Sequence, residues 1–217
     1  MKKLMFVLLF TLPLIGFSQN IYNEDDLKFN QDSSLMLLKS NDTPVSGIVK
    51  RTCKRKGVIL KIKTNCEEYY ENGLWMSSKG YYKNKQISQE LQRNGMSIFY
   101  YKNGEIEYMG SYKDGLENGA WKYLNKQGDL EKEETWEEGE IITEKGYNKN
   151  GLLKYELEWK NENSYIIKDY YKGVLYEEGT IKNGKKEGVW KQYVFLDDGT
   201  TELDKKIIFK NGKKVEN

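Results

Sequence analysis

From Tyr69 onward the chain alternates apolar and polar residues with a period of two, in runs broken by amide-glycine pairs. Ile106, Tyr108 and Tyr112 fall on one side of such a run, while Glu105, Glu107 and Ser111 fall on the other. Trp121 and Tyr123 alternate with Ala120 and Lys122 in the same way. A period of two predicts half-buried strands rather than helices, whose period is 3.6. The breaks are Asn103-Gly104, Asp114-Gly115, Asn150-Gly151, Asn183-Gly184 and Asn211-Gly212. Such dipeptides predict two-residue type I′ turns, because both central residues there need positive φ.

The runs repeat. Gly104-Glu105-Ile106 returns as Gly128-Asp129-Leu130, and Tyr112-Lys113-Asp114-Gly115 returns as Trp136-Glu137-Glu138-Gly139, each shifted by 24 positions. The glycines that mark the units are Gly73, Gly104, Gly128, Gly151, Gly173 and Gly199, with a long gap of 31 between the first two. Two turns per unit leave two strands. The expected fold is all-β: an elongated single-layer antiparallel meander of repeated hairpins, with two strands per 22–24-residue repeat. Roughly twelve strands at ~4.8 Å predict a twisted ribbon about 55 Å long. A ribbon of this kind has no deep core, so each unit leans on its neighbours. Cross-strand tiers of aromatic rings then supply much of the cohesion. Gly110, Gly119, Gly146, Gly179 and Gly188 fall in or beside strands, where glycine marks a bulge or leaves room for a neighbouring ring.

The N-terminal third reads differently. Residues 1–18 have the form of a signal peptide: Lys2-Lys3, an apolar run from Leu4 to Ile15, then Gly16 and Ser18 as small residues before Gln19. The run is shorter than the ~20 residues that span a bilayer, so no membrane span is expected after cleavage. Residues 19–68 form the next segment and 69–217 the repeat array. Polar residues 19–34 read as a loose lead-in, and Leu35-Met36-Leu37-Leu38 fits either a strand or a helical turn. Ser40 to Gly47 is a turn signal around Pro44. Ile48–Cys53 and Val58–Thr64 read as two strands joined over Lys54-Arg55-Lys56-Gly57. Cys53 and Cys66 near its base are expected to form a disulfide, since an exported chain with two cysteines and no C-x-x-C favours one crosslink. Seven basic residues crowd the hairpin (Lys50, Arg51, Lys54, Arg55, Lys56, Lys61, Lys63), either as a solvated guard on an edge or as a patch for an acidic polymer or membrane surface.

Composition narrows the chemistry. The chain holds 35 basic and 33 acidic residues, and loss of the two lysines in 1–18 leaves it balanced. A neutral surface lacks the basic stripe that nucleic acid requires. There is no histidine, which removes the commonest general base and metal ligand, so no catalytic, cofactor or metal site is assigned. The acids that could form carboxylate pairs, Glu131/Glu133/Glu134 and Glu177/Glu178, read as solvent-facing strand positions. With 17 Tyr, 5 Trp and 7 Phe, the chain has too many rings for a disordered one.

Gly110-Ser111-Tyr112-Lys113-Asp114-Gly115 with Gly119 and Trp121, and Gly179 to Gly184 with Gly188 and Trp190, follow the pattern YxNGxxxxxGxYxNGxxxGxWxxY. In this the chain resembles bacterial MORN-type repeats, the variant found in YwqK-type antitoxin-like proteins, over roughly residues 69–217. It departs at Glu162, where sister units have glycine, and at Ser97, which stands in place of the tryptophan. The resemblance implies a hairpin-repeat fold and a role in protein contacts or scaffolding. The expected function is an exported, periplasmic or extracellular, non-enzymatic module that binds a protein partner through an aromatic face. Tyr112, Trp121, Trp136, Trp159 and Trp190 are the candidate contact residues, with structural stacking as their other reading. Binding of a cell-envelope glycan such as peptidoglycan, or an immunity role, are the alternatives.

Overall fold

The computed structural model describes residues 20–54, 63–197 and 199–215. The signal segment, Arg55-Lys56-Gly57 and Val58–Ile62 therefore lie outside the described residues.

The described chain is strand almost throughout. The first strands are β1 (Ile21–Asn23), β2 (Leu27–Phe29), β3 (Met36–Leu38), β4 (Gly47–Lys54), β5 (Lys63–Glu71) and β6 (Leu74–Tyr81). The middle holds β7 (Ile87–Gln92), β8 (Gly95–Tyr100), β9 (Ile106–Lys113), β10 (Leu116–Leu124), β11 (Leu130–Glu137) and β12 (Glu140–Tyr147). The last are β13 (Leu153–Asn161), β14 (Ser164–Tyr171), β15 (Val174–Lys182), β16 (Lys185–Phe195), β17 (Thr201–Lys210) and β18 (Lys213–Val215). Sixteen of them form one sheet in which β4 to β18 lie side by side in chain order, with β1 added in parallel on the outside of β4. Sixteen strands at ~4.8 Å give a ribbon of about 70 Å, longer than expected because β1, β4 and β5 join the same sheet. The boundary between residues 68 and 69 falls inside β5.

Two expectations for the N-terminal third are corrected. The described part of the 19–34 lead-in, residues 20–34, is not loose: it holds β1, one 3₁₀ turn at Glu24–Asp26, and β2, which pairs with β3. The apolar residues responsible are Leu27, Met36, Val45, Val49 and Tyr70, a small core that closes one end of the sheet with Tyr22, Leu38 and Trp75 against it. Of Leu35–Leu38, Met36–Leu38 accordingly resolves as strand. The β4–β5 turn does not begin at Lys54, because pairing runs from Gly47↔Tyr70 through to Lys54↔Lys63. Arg51 binds Glu68 at 2.7 Å and Lys50 lies 3.6 Å from Glu67, so these two basic residues are paired across that register.

Hairpins close alternately at two edges. On one edge the loops are the expected type I′ pairs, as at Asp114 (φ 53°) and Gly115 (φ 83°), and Asn72-Gly73, Glu138-Gly139, Asn183-Gly184 and Asn211-Gly212 follow. Glu162-Asn163 on this edge has no left-handed residue, in keeping with the missing glycine. Three of these glycine N–H groups reach back to the preceding hairpin, Gly115 donating to the Arg93 carbonyl, Gly139 to Glu117 and Gly212 to Lys186, all at 2.9 Å, and at Asn183-Gly184 the Asn183 N–H donates to Asn163 instead.

The opposite edge departs from expectation. At Tyr101–Glu105, Asn125–Asp129, Asn148–Leu152 and Leu196–Thr200 the glycine N–H bonds the first carbonyl of the loop and the first N–H bonds the last carbonyl. Only the glycine is left-handed, as at Gly104 (φ 91°), which is a type I turn followed by a glycine bulge. Asn103-Gly104 and Asn150-Gly151 are therefore not type I′ turns. The Asn103 side chain accepts the Glu105 N–H at 3.2 Å, and this local bond keeps Asn103 out of the left-handed region. Lys85 (φ 66°) takes the place of Gly104 one hairpin earlier. The gap of 31 thus compared opposite edges, since Gly73 belongs with Gly115.

Candidate functional site

The pleat gives the sheet two unlike faces. On one, the ring face, glycines act as seats for rings on the next strand. A Cβ on Gly110 would stand 2.1 Å from the Trp121 ring, one on Gly179 2.3 Å from Trp190, and one on Gly146 2.2 Å from Tyr155. No Cβ fits at those distances, so the sequence must hold glycine wherever a ring lies flat on the neighbouring strand. Gly80 seats Gln89 in the same manner. The seats recur on every third strand: β6, β9, β12 and β15. Gly119 and Gly188 do the other job foreseen for these glycines. They are left-handed, with open space around them, and accompany the register shifts that bring Trp121 and Trp190 over their seats.

Around Trp121 the rings form one packed cluster. Phe99 stacks on Tyr108 at 4.0 Å, Tyr108 lies 5.5 Å from Tyr123, and Tyr112 meets Trp121 edge-on at 5.1 Å. Beside the cluster opens a cavity of about 460 Å³. Its walls are the rings of Tyr101, Tyr112, Trp121, Tyr123 and Trp136, with the carboxylates of Glu107, Glu117 and Glu131. Beneath it Glu134 is buried at 5% exposure, yet fully answered: Tyr123 donates at 2.6 Å, the Trp136 indole N–H at 2.8 Å, and Lys132 at 2.5 Å. Burial, then the Glu134 hydrogen bond, holds the Tyr123 phenol well above the ordinary tyrosine range. Farther along, Glu177 is 9% exposed and accepts from Lys186 at 2.7 Å and Gln192 at 2.8 Å.

Those two acids correct the sequence reading, which placed them in solvent. They stay buried because each has two or more donors, which offsets the cost of desolvation. Neither carboxylate pair exists as such. Glu133 and Glu134 point to opposite faces, as do Glu177 and Glu178, since neighbours on a strand must. Glu133 accepts from Tyr147, and Glu178 from Lys191 and Tyr193, on the far side of the sheet.

That far side, the ladder face, holds a feature the sequence reading missed. One row of cross-strand neighbours runs Lys122–Glu133–Lys145–Glu156–Lys168–Glu178–Lys191. The row begins earlier as Lys50–Glu67–Lys79–Glu90, and Ile98 and Met109 fill the two places between. Opposite charges facing each other stabilise a strand pair, and like charges oppose it. Each glutamate also takes a phenol from the following strand: Tyr81 on Glu67, Tyr100 on Glu90, Tyr147 on Glu133, Tyr170 on Glu156 and Tyr193 on Glu178. Burial, then the carboxylate it bonds, pushes the Tyr147 phenol up to about 12. Glu156 and Glu178 are held below the usual carboxylate value: burial opposes this, but the phenol and lysine bonds outweigh it. The signal was present in the chain, as a charge of alternating sign every ten to thirteen residues from Lys122 to Lys191.

The five candidate contact residues are not one surface. Tyr112 (7%), Trp121 (3%) and Trp190 (2%) are buried by the molecule's own packing, with Lys186 lying over the Trp190 ring at 3.7 Å. Trp136 and Trp159 are half-buried. Trp136 borders the cavity, while Trp159 packs on Tyr165 at 4.7 Å, two strands farther along. Cys66 is buried, and the register places Cys53 on the same face, diagonally across from it. The Cys53 side chain lies outside the described residues. Among the described residues there is no group of three or more side chains of the metal-ligating kind. No helix among them is long and apolar enough to cross a membrane, which leaves strand-based crossing unaddressed.

No family model and no curated protein matches the chain. Among solved structures it is similar to a crystal structure of TarM, at 13% identity and a TM-score of 0.25, over 48% of this chain and 19% of that one. A mutant of S. aureus TarM in complex with Fondaparinux, alpha-GlcNAc-glycerol and UDP matches at 12% identity and a TM-score of 0.26, over 49% and 19%. The chain spans about a fifth of the length of these structures, and likeness at this level carries no argument about fold or function.

Proposed function

We propose that this chain is an exported, non-enzymatic repeat protein that serves as an interaction or scaffolding module of the cell envelope. The observation that supports the reading is the cavity bordered by Trp136 and Tyr101, an open ring-lined recess. Aromatic side chains around a recess are what hot spots of protein recognition are made of. The signal-like segment at 1–18 supports a partner outside the cytoplasm, and the Cys53–Cys66 disulfide is part of the same reading. The resemblance to MORN-type repeats adds scaffolding or an antitoxin-like immunity role as forms of it.

Glycan binding is the second reading, because the same cavity sets the carboxylates of Glu107, Glu117 and Glu131 beside flat rings. The two separate in one experiment. The purified chain and a Trp136→Ala variant are offered to envelope extract and, separately, to insoluble peptidoglycan. The first reading predicts that one envelope protein is captured stoichiometrically by the native chain and lost with Trp136→Ala. Sedimentation with peptidoglycan that depends on Trp136 instead supports the glycan reading. Capture indifferent to Trp136 removes the cavity from the account.

A further inference from the structure

The unit around Trp121 has a sister. Gly110, Gly115, Gly119 and Trp121 recur as Gly179, Gly184, Gly188 and Trp190, each 69 positions later. The pairing recurs with them. Tyr108 faces Tyr123 as Glu177 faces Gln192, Tyr112 faces Glu117 as Ile181 faces Lys186, and Gly119 faces Trp136 as Gly188 faces Phe209. The two units can therefore be compared place by place.

In the Trp190 unit a lysine completes the packing. Lys186 lays its ammonium over the Trp190 ring at 3.7 Å and 5.4 Å from the centre of the Phe209 ring, and it binds Glu177 at 2.7 Å. The ring quadrupole attracts the cation, and the carboxylate answers its charge. The Trp121 unit has neither partner of that ion pair. Glu117 stands in the place of Lys186, and Tyr108 in the place of Glu177. The rings remain, with Trp136 for Phe209, and the cavity of about 460 Å³ opens among them.

The charge around that cavity is of one sign. Glu107, Glu117 and Glu131 line it, and among the described residues no lysine or arginine does. Register shifts leave Glu107 and Glu131 as extra residues on β9 and β11, and bulges of this kind re-aim a side chain. Glu117 accepts the Tyr112 phenol, a neutral donor that leaves its charge in place. Lys132 lies over the Tyr123 ring at 4.2 Å, but its ammonium is bound to buried Glu134. Trp121 is buried with Tyr112 edge-on to it, so half-buried Trp136 is the indole that an incoming group can reach. A lysine side chain suits such a recess, because its stem packs on rings while its head meets the carboxylates. A sugar would meet the rings and leave three negative charges unanswered.

We propose, resting on the reading of this cavity as the partner site, that it receives a lysine side chain of the partner protein, which supplies from outside what Lys186 supplies to Trp190 and Phe209. Two capped peptides serve as probes: glycine-serine-lysine-serine-glycine, and the same sequence with norleucine, which lacks the ammonium. The indole N–H resonance of Trp136 is followed by NMR on the full chain at millimolar peptide and low salt. The lysine peptide is expected to shift it and the norleucine peptide to leave it in place. Glu117→Lys, shown by circular dichroism to keep its strand spectrum, gives the cavity a lysine of its own and is expected to weaken the lysine peptide roughly tenfold or more. No shift with the lysine peptide, an equal shift with norleucine, or undiminished binding to Glu117→Lys overturns the proposal. Capture of an envelope protein that requires Trp136 but is unchanged in Glu117→Lys overturns it while leaving the cavity as the partner site. A shift with an N-acetylglucosamine oligomer and none with the lysine peptide assigns the cavity to a glycan and overturns both.

Discussion

The two faces of this sheet are held together by different physics. The ring face is a packing solution, in which a glycine on one strand accepts the full width of a ring from the next. The ladder face is an electrostatic solution, in which sign alternates from strand to strand and a phenol caps each carboxylate. Packing is strong but local, and a seat occurs only on every third strand. The charge row is weak at each step but recurs on nearly every strand. A slip of one residue would send each lysine to the wrong face, so the row penalises wrong registers along most of the sheet. The rings therefore supply strength and the charges supply register.

The largest effect should come from emptying a seat. Trp121→Ala removes the centre of the cluster and is expected to cost about 3–5 kcal/mol in unfolding free energy measured by urea titration. Trp159→Ala should cost clearly less, because that ring is half-buried and sits on no glycine. Equal losses for the two would break the distinction between seated and unseated rings.

On the ladder face, Tyr147→Phe removes the phenol from Glu133 and is expected to cost about 0.5–1.5 kcal/mol near neutral pH. The same phenols predict a pH dependence of known sign. Their folded pKa values lie above the unfolded value, about 12 against 10 for Tyr147, so their contribution is fully present below pH 10 and is lost as pH rises towards 12. Glu156 and Glu178 act in reverse. Their folded values lie below 4.5, so their contribution is present above that pH and disappears as pH falls through the folded values. A stability profile that is flat across both windows would mean the ladder contributes nothing. The smallest effect is expected from Lys145→Glu, about 0.2–1 kcal/mol, shrinking with added salt because the Lys145 end of the pair is solvent-exposed.

Much of this was legible in the chain. Period two reports which face a residue occupies, and that depends only on neighbours along one strand. Hence Tyr108 could be grouped with Tyr112, and Trp121 with Tyr123, before any register was known. The role of Gly110 was legible in kind, as room for a ring, but not the identity of the ring. That needs the shift at Gly119, a bulge that changes which residues face each other. The ladder escaped for the same reason: Lys122, Glu133 and Lys145 become neighbours only after the extra residues Glu131 and Ile142 are counted out. Asn103-Gly104 was misread because a dipeptide does not show whether the asparagine side chain will bind its own loop. The burial of Glu134 was hidden too, since its three donors come together only on folding.

The central claim is that seat and ring are one unit, and a double-mutant cycle on Gly110 and Trp121 tests it most directly. Gly110→Val puts atoms where the Trp121 ring lies, so alone it should be strongly destabilising. In a Trp121→Ala background the valine has space to occupy, and the penalty of Gly110→Val should shrink by more than about 1 kcal/mol. Strictly additive losses would contradict the account.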